Sequence, residues 1–194
     1  KTGARIFLYG GSNQGALVQL ALNLRRRYPG IQGLGYSRTV VAAELEGFER
    51  QQVARGDKNF AVYPQSVREV YQPVTYLAPL DNPNRVTIGF DMFSEPRRRT
   101  AMEVARDDGK TVATESVTLT QEQFERDKQQ GFLIYSPLYN PEAVLFTLSQ
   151  RRAALRGFVY IAFRVEDFIV GIDGLTGNGV GFELYSSEKL QPTS

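Results

Sequence analysis

The 194 residues predict an α+β fold of short antiparallel strands mixed with helices, rather than a doubly wound sheet. Three observations carry this. Val74–Ala78, bracketed by Pro73 and Pro79, and Arg85–Phe90, with Val86, Ile88 and Phe90 alternating, read as two strands. The turn-forming run Asp81–Asn84 joins them as a hairpin. The glycine-rich run Gly174–Gly181 follows a helical stretch and precedes a strand. That is the reverse of a dinucleotide loop, which leaves a strand and enters a helix, so it reads as a hairpin-like connection.

In chain order, Ile6–Tyr9 is an apolar patch ending at Gly10-Gly11. Ser12 or Asn13 then caps a helix over about 14–28, with Leu17, Leu20, Ala21 and Leu24 as its buried stripe. Arg25, Arg26 and Arg27 close it where positive charge suits the dipole; with no aromatic ladder beside them they are a solvated helix end. Pro29-Gly30 breaks the chain before a strand at Ile31–Tyr36. A helix over about 40–55 buries Val41, Leu45, Phe48 and Val53, and Glu44, Glu46 and Glu49 lie along it with Arg50 as a solvated face. Phe60–Val62 is a short strand.

After the hairpin, Asp91 places a carboxylate at the strand's end. Ser94 occupies the N-cap of the next helix, with Glu95 and Pro96 in its first turn. Ala101, Met102 and Ala105 recur at helical spacing, and Asp108-Gly109 ends it. Thr111–Leu119 is extended, 121–130 is polar and helical, and Gly131–Tyr139 is a central apolar strand. Asn140-Pro141 marks a boundary. Beyond it come a helix to about Leu155, a strand at Gly157–Val165, a short helix at Glu166–Ile172 and a strand at Val180–Tyr185.

Composition narrows the chemistry. The chain has no histidine and no cysteine, which removes Ser-His-Asp triads, imidazole catalysis, ordinary zinc sites, disulfides and thiolates. A net charge of +2 gives no argument for nucleic acid. No apolar run approaches the roughly 20 residues that cross a bilayer. No opposed carboxylate pair can be placed, so glycoside chemistry has no support. Read from the residues alone, Asp91 is either a binding determinant between a strand and a helix start or a turn carboxylate.

The order of the segments adds a resemblance. YPGIQGLGY, FERQQVARG, YQPVTYLAPLDNPNRVTIGFDMFSEPRRRTAMEVARDDGKTVATESVTLTQ, GFLIYSPLY and RGFVYIAFRVEDFI, taken together over about residues 15–170, resemble a CHASE domain. This is the extracytoplasmic sensor of receptor histidine kinases and nucleotide cyclases, among them the plant cytokinin receptors. The Arg-rich Ser-Glu-Pro helix start is similar to bacterial members. The resemblance implies an N-terminal stalk over 1–30, then two PAS-like modules with antiparallel sheets. The membrane-distal, ligand-binding module would span 31–139 and the membrane-proximal one 140–194.

It also implies a site. Asp91 stands where cytokinin-binding members hydrogen-bond a purine ring and its amine, and main-chain groups of about Thr111 to Thr114 make a second contact. A carboxylate can take two N–H bonds from a flat heterocycle. Tyr76, Phe93, Ala113 and Tyr135 are the candidate walls, with core packing as the other reading of the aromatics. A carboxylic acid as ligand would instead move the site toward Arg97, Arg98 or Arg99.

The function expected from this is non-catalytic sensing of a small, purine-like or other heterocyclic molecule, outside the cytoplasm or in the periplasm. The domain would govern a cytoplasmic histidine kinase or diguanylate cyclase. It would need no cofactor, bind no metal or nucleic acid, and meet the membrane only through other segments. In the receptor it would form a homodimer through Leu17–Leu24. The alternative is an adhesion or dimerisation domain with no ligand; a carboxylate hydrolase has the least support.

Overall fold

The computed structural model describes residues 14–28, 30–120 and 130–176. Helix α1 (Gln14–Arg27) leads into β1 (Ile31–Arg38), β2 (Val40–Val41) and α2 (Leu45–Ala54). Then come β3 (Val70–Tyr71), β4 (Val74–Ala78), α3 (Asn82–Arg85), α4 (Pro96–Asp108), β5 (Val112–Ala113) and β6 (Val117–Thr118). The rest is β7 (Gln130–Tyr139), α5 (Leu148–Ala154), β8 (Leu155–Arg164) and α6 (Val165–Thr176). The main sheet runs β4-β1-β8-β7-β5, with β6 also on β7, and every paired strand is antiparallel to its neighbour. This is the α+β class that the strand lengths predict.

Strand alternation divides the sheet into two faces. The inner face carries Leu77, Leu133, Tyr135, Phe158, Tyr160 and Ala162, and α4 closes it with Ala101, Met102 and Ala105 in one buried cluster. On the outer face Ala21 of α1 packs with Leu34 and Ala78, beside Leu17, Tyr76, Val159 and Ile161. Arg25 pairs with Asp81 at 3.0 Å, tying α1 to the turn after β4. At the far end Phe168 of α6 meets Phe132 and Phe163 with ring centroids 5.4 and 5.5 Å apart.

The hairpin expected between Val74–Ala78 and Arg85–Phe90 is not formed. Asp81 caps a short helix instead, its Oδ1 accepting from Asn84 N at 3.1 Å, with Pro83 in the first turn. A cap followed by proline is a helix start, and here it outweighs the alternation of Val86, Ile88 and Phe90. Turns then carry the chain to Phe90 and Asp91, which bridge Tyr63 and Pro73. Gly89 sits at φ +87, where a Cβ would lie 2.2 Å from the Ala61 carbonyl oxygen. The predicted neighbour survives, since Gly89 N donates to Val74 O and Val74 N to Phe90 O.

Three smaller expectations are corrected. Phe60–Val62 is irregular; Phe60 and Val62 are buried with Val40, Phe48 and Tyr71 in a satellite core. Val40–Val41 begins the predicted second helix as a strand on β3, and the helix itself starts at Leu45. Glu95, not Ser94, caps α4, its two oxygens accepting from Arg97 N at 3.1 Å and Arg98 N at 2.9 Å. Pro96 and left-handed Gly109 (φ +69) bound α4 as its sequence predicts.

The boundary at Asn140 does not separate two sheets. β7 and β8, on either side of it, pair from Gly131↔Arg164 to Tyr139↔Leu155, and β8 lies between β1 and β7. A turn signal cannot say whether the next strand leaves or returns; here the apolar inner side of β8 returns it to the same core. The cap at Ser12 or Asn13, the helix over 121–130 (up to residue 129) and the strand at Val180–Tyr185 lie outside the described residues, as does most of the glycine-rich run.

The connection through Asn140 is held to α4 by charge. Asp107 accepts from Arg106 Nε at 2.6 Å and from Arg152 Nη2 at 2.6 Å, and its backbone carbonyl accepts from Arg151 Nε at 2.6 Å. Hydrogen bonds from Arg152 and then Arg106 hold the Asp107 carboxyl well below the usual carboxylate range. A depressed acid stabilises the fold above its unfolded pKa and loses that contribution as pH falls through the folded value. Asp107→Asn is therefore expected to be less stable than the parent by a constant margin above about pH 5, with the margin shrinking below about pH 4. Urea unfolding of both proteins across that range checks it; a margin independent of pH would refute it.

Candidate functional site

The sequence around Asp91 folds as a strand end followed by a single 3-10 turn at Met92–Ser94. Asp91 is 0% exposed. Its Oδ1 accepts from Gln72 N at 2.8 Å and from Phe93 N at 3.1 Å. Its main chain is fixed as well: Asp91 N donates to Tyr63 O at 2.7 Å, and Ser94 N and Oγ donate to Asp91 O at 2.9 and 2.6 Å. Oδ2 faces Arg68 Nε at 3.1 Å as an ion pair, yet neither atom makes a well-aligned hydrogen bond among the described residues.

Burial pushes the Asp91 carboxyl up. The amides of Gln72 and Phe93, and then Arg68 and Arg99, pull against it without reversing the shift. A buried carboxylate with one oxygen saturated and the other badly matched gains from a further N–H donor on Oδ2. Arg68 reaches it from the segment before β3 and keeps 21% of its side chain exposed. Unlike the two backbone amides on Oδ1, it is a partner of the carboxylate that side-chain rotation alone could remove.

Behind Asp91 lies a second polar group. Arg98 is 1% exposed. Its Nη1 donates to Met92 Sδ at 3.2 Å and to Thr120 Oγ1 at 3.2 Å, and its Nη2 donates to Thr118 O at 2.9 Å. The guanidinium carbon stands 5.1 Å from the centre of the Phe90 ring, and Nε is 3.9 Å from Glu95 Oε2. Tyr135 Oη also donates to Met92 Sδ, at 3.4 Å. Tyr160 is its cross-strand neighbour, with ring centroids 5.9 Å apart and a buried hydroxyl that has no hydrogen-bond partner among the described residues. Burial raises the phenol pKa values of Tyr135, Tyr160 and Tyr63, the last to about 12, and Arg98 opposes each shift. All three stay neutral donors at physiological pH.

The sequence-predicted residues are distributed unevenly over this arrangement. Asp91, Phe93 and Tyr135 are all buried, and the two aromatics belong to the inner-face core. Tyr76 pairs with Tyr36 and packs with the α1 cluster on the outer face, so it is no wall of a pocket at Asp91. A strand turns successive side chains to opposite faces, and Leu77, one residue on, takes the inner position. Thr111 and Ala113 are exposed, with Thr111 Oγ1 3.3 Å from Ser136 Oγ. Thr114 is buried, its N donating to Leu133 O at 2.8 Å and its Oγ1 accepting from Leu133 N at 3.0 Å. These three line the β7 edge rather than the Asp91 carboxylate.

Met92, Gln72, Arg68 and Tyr160 are missing from the sequence-based set, which holds Arg98 only as one of three arginines for an acid ligand. Arg98 had a signal: positions 98, 101, 102 and 105 form one helical stripe, so the middle arginine of the triplet faces the core while Arg97 is exposed. Arg68 had none, because an irregular segment brings it across. No group of metal-ligating side chains occurs among the described residues, nor any helix long and apolar enough to cross a membrane.

Among known protein families, the model of the CHASE domain matches residues 18–194. No curated protein matches the chain.

Proposed function

Because the chain belongs to the CHASE domain family, a sensory and non-catalytic part of signalling receptors, we propose that it binds a small molecule on the inner face of its sheet. In this reading the domain lies outside the cytoplasm and sets the activity of a histidine kinase or diguanylate cyclase output. The ligand enters where Arg68 covers Asp91 and presents N–H donors of a flat heterocycle to Oδ2. The observation that carries this is the mismatch at Asp91 Oδ2: a fully buried carboxylate oxygen that faces Arg68 at 3.1 Å and has no well-aligned hydrogen bond among the described residues. The sheet, with its last long strand inserted between the first and β7, supports a PAS-like module.

The test is titration of the folded domain with adenine, read by calorimetry, beside mass spectrometry of any molecule retained from the expression host. Adenine is expected to bind the parent, and Asp91→Asn is expected to weaken it about 10-fold, since one of two acceptor oxygens becomes a donor. Full affinity in folded Asp91→Asn would end carboxylate recognition. A second reading, a dimerisation domain without a ligand, draws on the fact that Met92, Phe93, Arg98 and Tyr135 already fill the inner face. Failure of any metabolite to bind would leave that reading standing.

Signalling requires two arrangements that the ligand binds unequally. We place the dimer contact on α1, where Val18, Leu20 and Leu22 are exposed apolar side chains while Ala21 is buried. Leu20 is 44% exposed, and Leu20→Glu is expected to abolish dimers of a membrane-tethered receptor without unfolding the domain. Small-angle scattering in detergent checks this; an unchanged dimer would refute the contact.

A further inference from the structure

Two strong buried donors, Arg98 Nη1 at 3.2 Å and Tyr135 Oη at 3.4 Å, converge on one weak acceptor, the sulfur of Met92. A thioether accepts poorly, and methionine is a flexible side chain that repacks easily. The guanidinium is almost wholly buried, and its nearest carboxylate, Glu95, stands 3.9 Å away with both oxygens already accepting from backbone amides. Arg98 Nε and Tyr160 Oη are buried without hydrogen-bond partners among the described residues. The other bonds of Arg98 go to Thr120 Oγ1 and Thr118 O, both neutral acceptors. A buried cation with no counter-charge closer than 3.9 Å among the described residues is relieved by an anion more than by another neutral group. The surroundings are aromatic: Phe90, Phe93, Phe158 and Tyr160 belong to the same core.

We propose that the place held by the Met92 sulfur is the seat of a carboxylate oxygen, so that the molecule this domain senses is a small aromatic acid. Met92 swings aside, one carboxylate oxygen accepts from Arg98 Nη1 and Tyr135 Oη, and the ring lies among the core aromatics. Met92 follows Asp91 in the chain, so the test ligand carries an N–H donor opposite its carboxylate to probe both groups. The inference rests on the inner face being the ligand site, as proposed above.

The experiment uses 4-aminobenzoate, which carries both ends, against 4-aminobenzamide, which keeps the ring and amine but has no charge. Binding to the whole domain is followed by calorimetry and by NMR shifts. Saturable binding of the acid at millimolar concentration, at least about 10-fold tighter than the amide, is expected. Arg98→Met is expected to weaken the acid roughly 10- to 100-fold and to leave the amide unchanged. Tyr135→Phe loses only a contact to sulfur in the free protein and so folds; it is expected to weaken the acid several-fold. No saturable binding of the acid, equal binding of acid and amide, or full acid affinity in Tyr135→Phe would each overturn the proposal. Asp91→Asn separates the two readings. Acid binding that depends on Arg98 and Tyr135 but not on Asp91 supports the carboxylate seat and ends the Asp91 reading. The opposite pattern overturns the seat and leaves Asp91 in place.

Discussion

Asp91→Ala is expected to lower folding stability by about 3 kcal/mol, the cost of removing a buried carboxylate that accepts two backbone hydrogen bonds and faces a cation. The alanine leaves the amides of Gln72 and Phe93 without their acceptor and Arg68 without its counter-charge. A carboxylate that only capped the turn at Met92–Ser94 would cost about 1 kcal/mol. Denaturant unfolding separates the two, and a loss below 1 kcal/mol would show that the contacts to Gln72 and Arg68 contribute nothing. Asp91→Asn keeps an acceptor for the two amides but removes the charge and turns the other oxygen into a donor facing Arg68, so its expected loss is about 1–2 kcal/mol. It is therefore the variant in which binding can be measured on folded protein.

The second large effect is expected at Gly35. A Cβ there would meet Tyr160 Cζ at 2.2 Å and its Oη at 2.4 Å. Gly35 and Tyr160 face each other across β1 and β8, and Tyr160 is fixed in turn by Tyr135 on β7. The ring is buried and packed against Tyr135, so Gly35→Ala is expected to cost about 2–3 kcal/mol as overpacking. In a Tyr160→Ala background the clash is gone, and adding Gly35→Ala is expected to cost no more than about 0.5 kcal/mol. Additive losses in the double variant would show that strain lies in the β1 backbone and not against Tyr160. The same contact ties β1 to the site, because the ring it positions lies beside the Arg98–Tyr135–Met92 group.

What the sequence determined by itself was local and compositional. The proline and glycine that bound α4, the strand Val74–Ala78 between two prolines, and the apolar run of β7 depend on neighbours within a few residues, where steric and capping rules are strong. The order of the segments carried the family, and the missing histidine and cysteine bounded the chemistry. Even Arg98 was legible as a member of a helical stripe. Only the tertiary structure decided that Arg85–Phe90 is not a hairpin strand, that β8 returns to the sheet beyond Asn140, and that Tyr76 faces α1 while Tyr135 faces Met92. Each depends on which face of a shared sheet an element covers, and a period-2 pattern fixes alternation without fixing the side. The Asp91–Arg68 pair, 23 positions apart in sequence, with the meeting of Arg98 and Tyr135 on one sulfur, is set by packing between distant segments, to which no local pattern points.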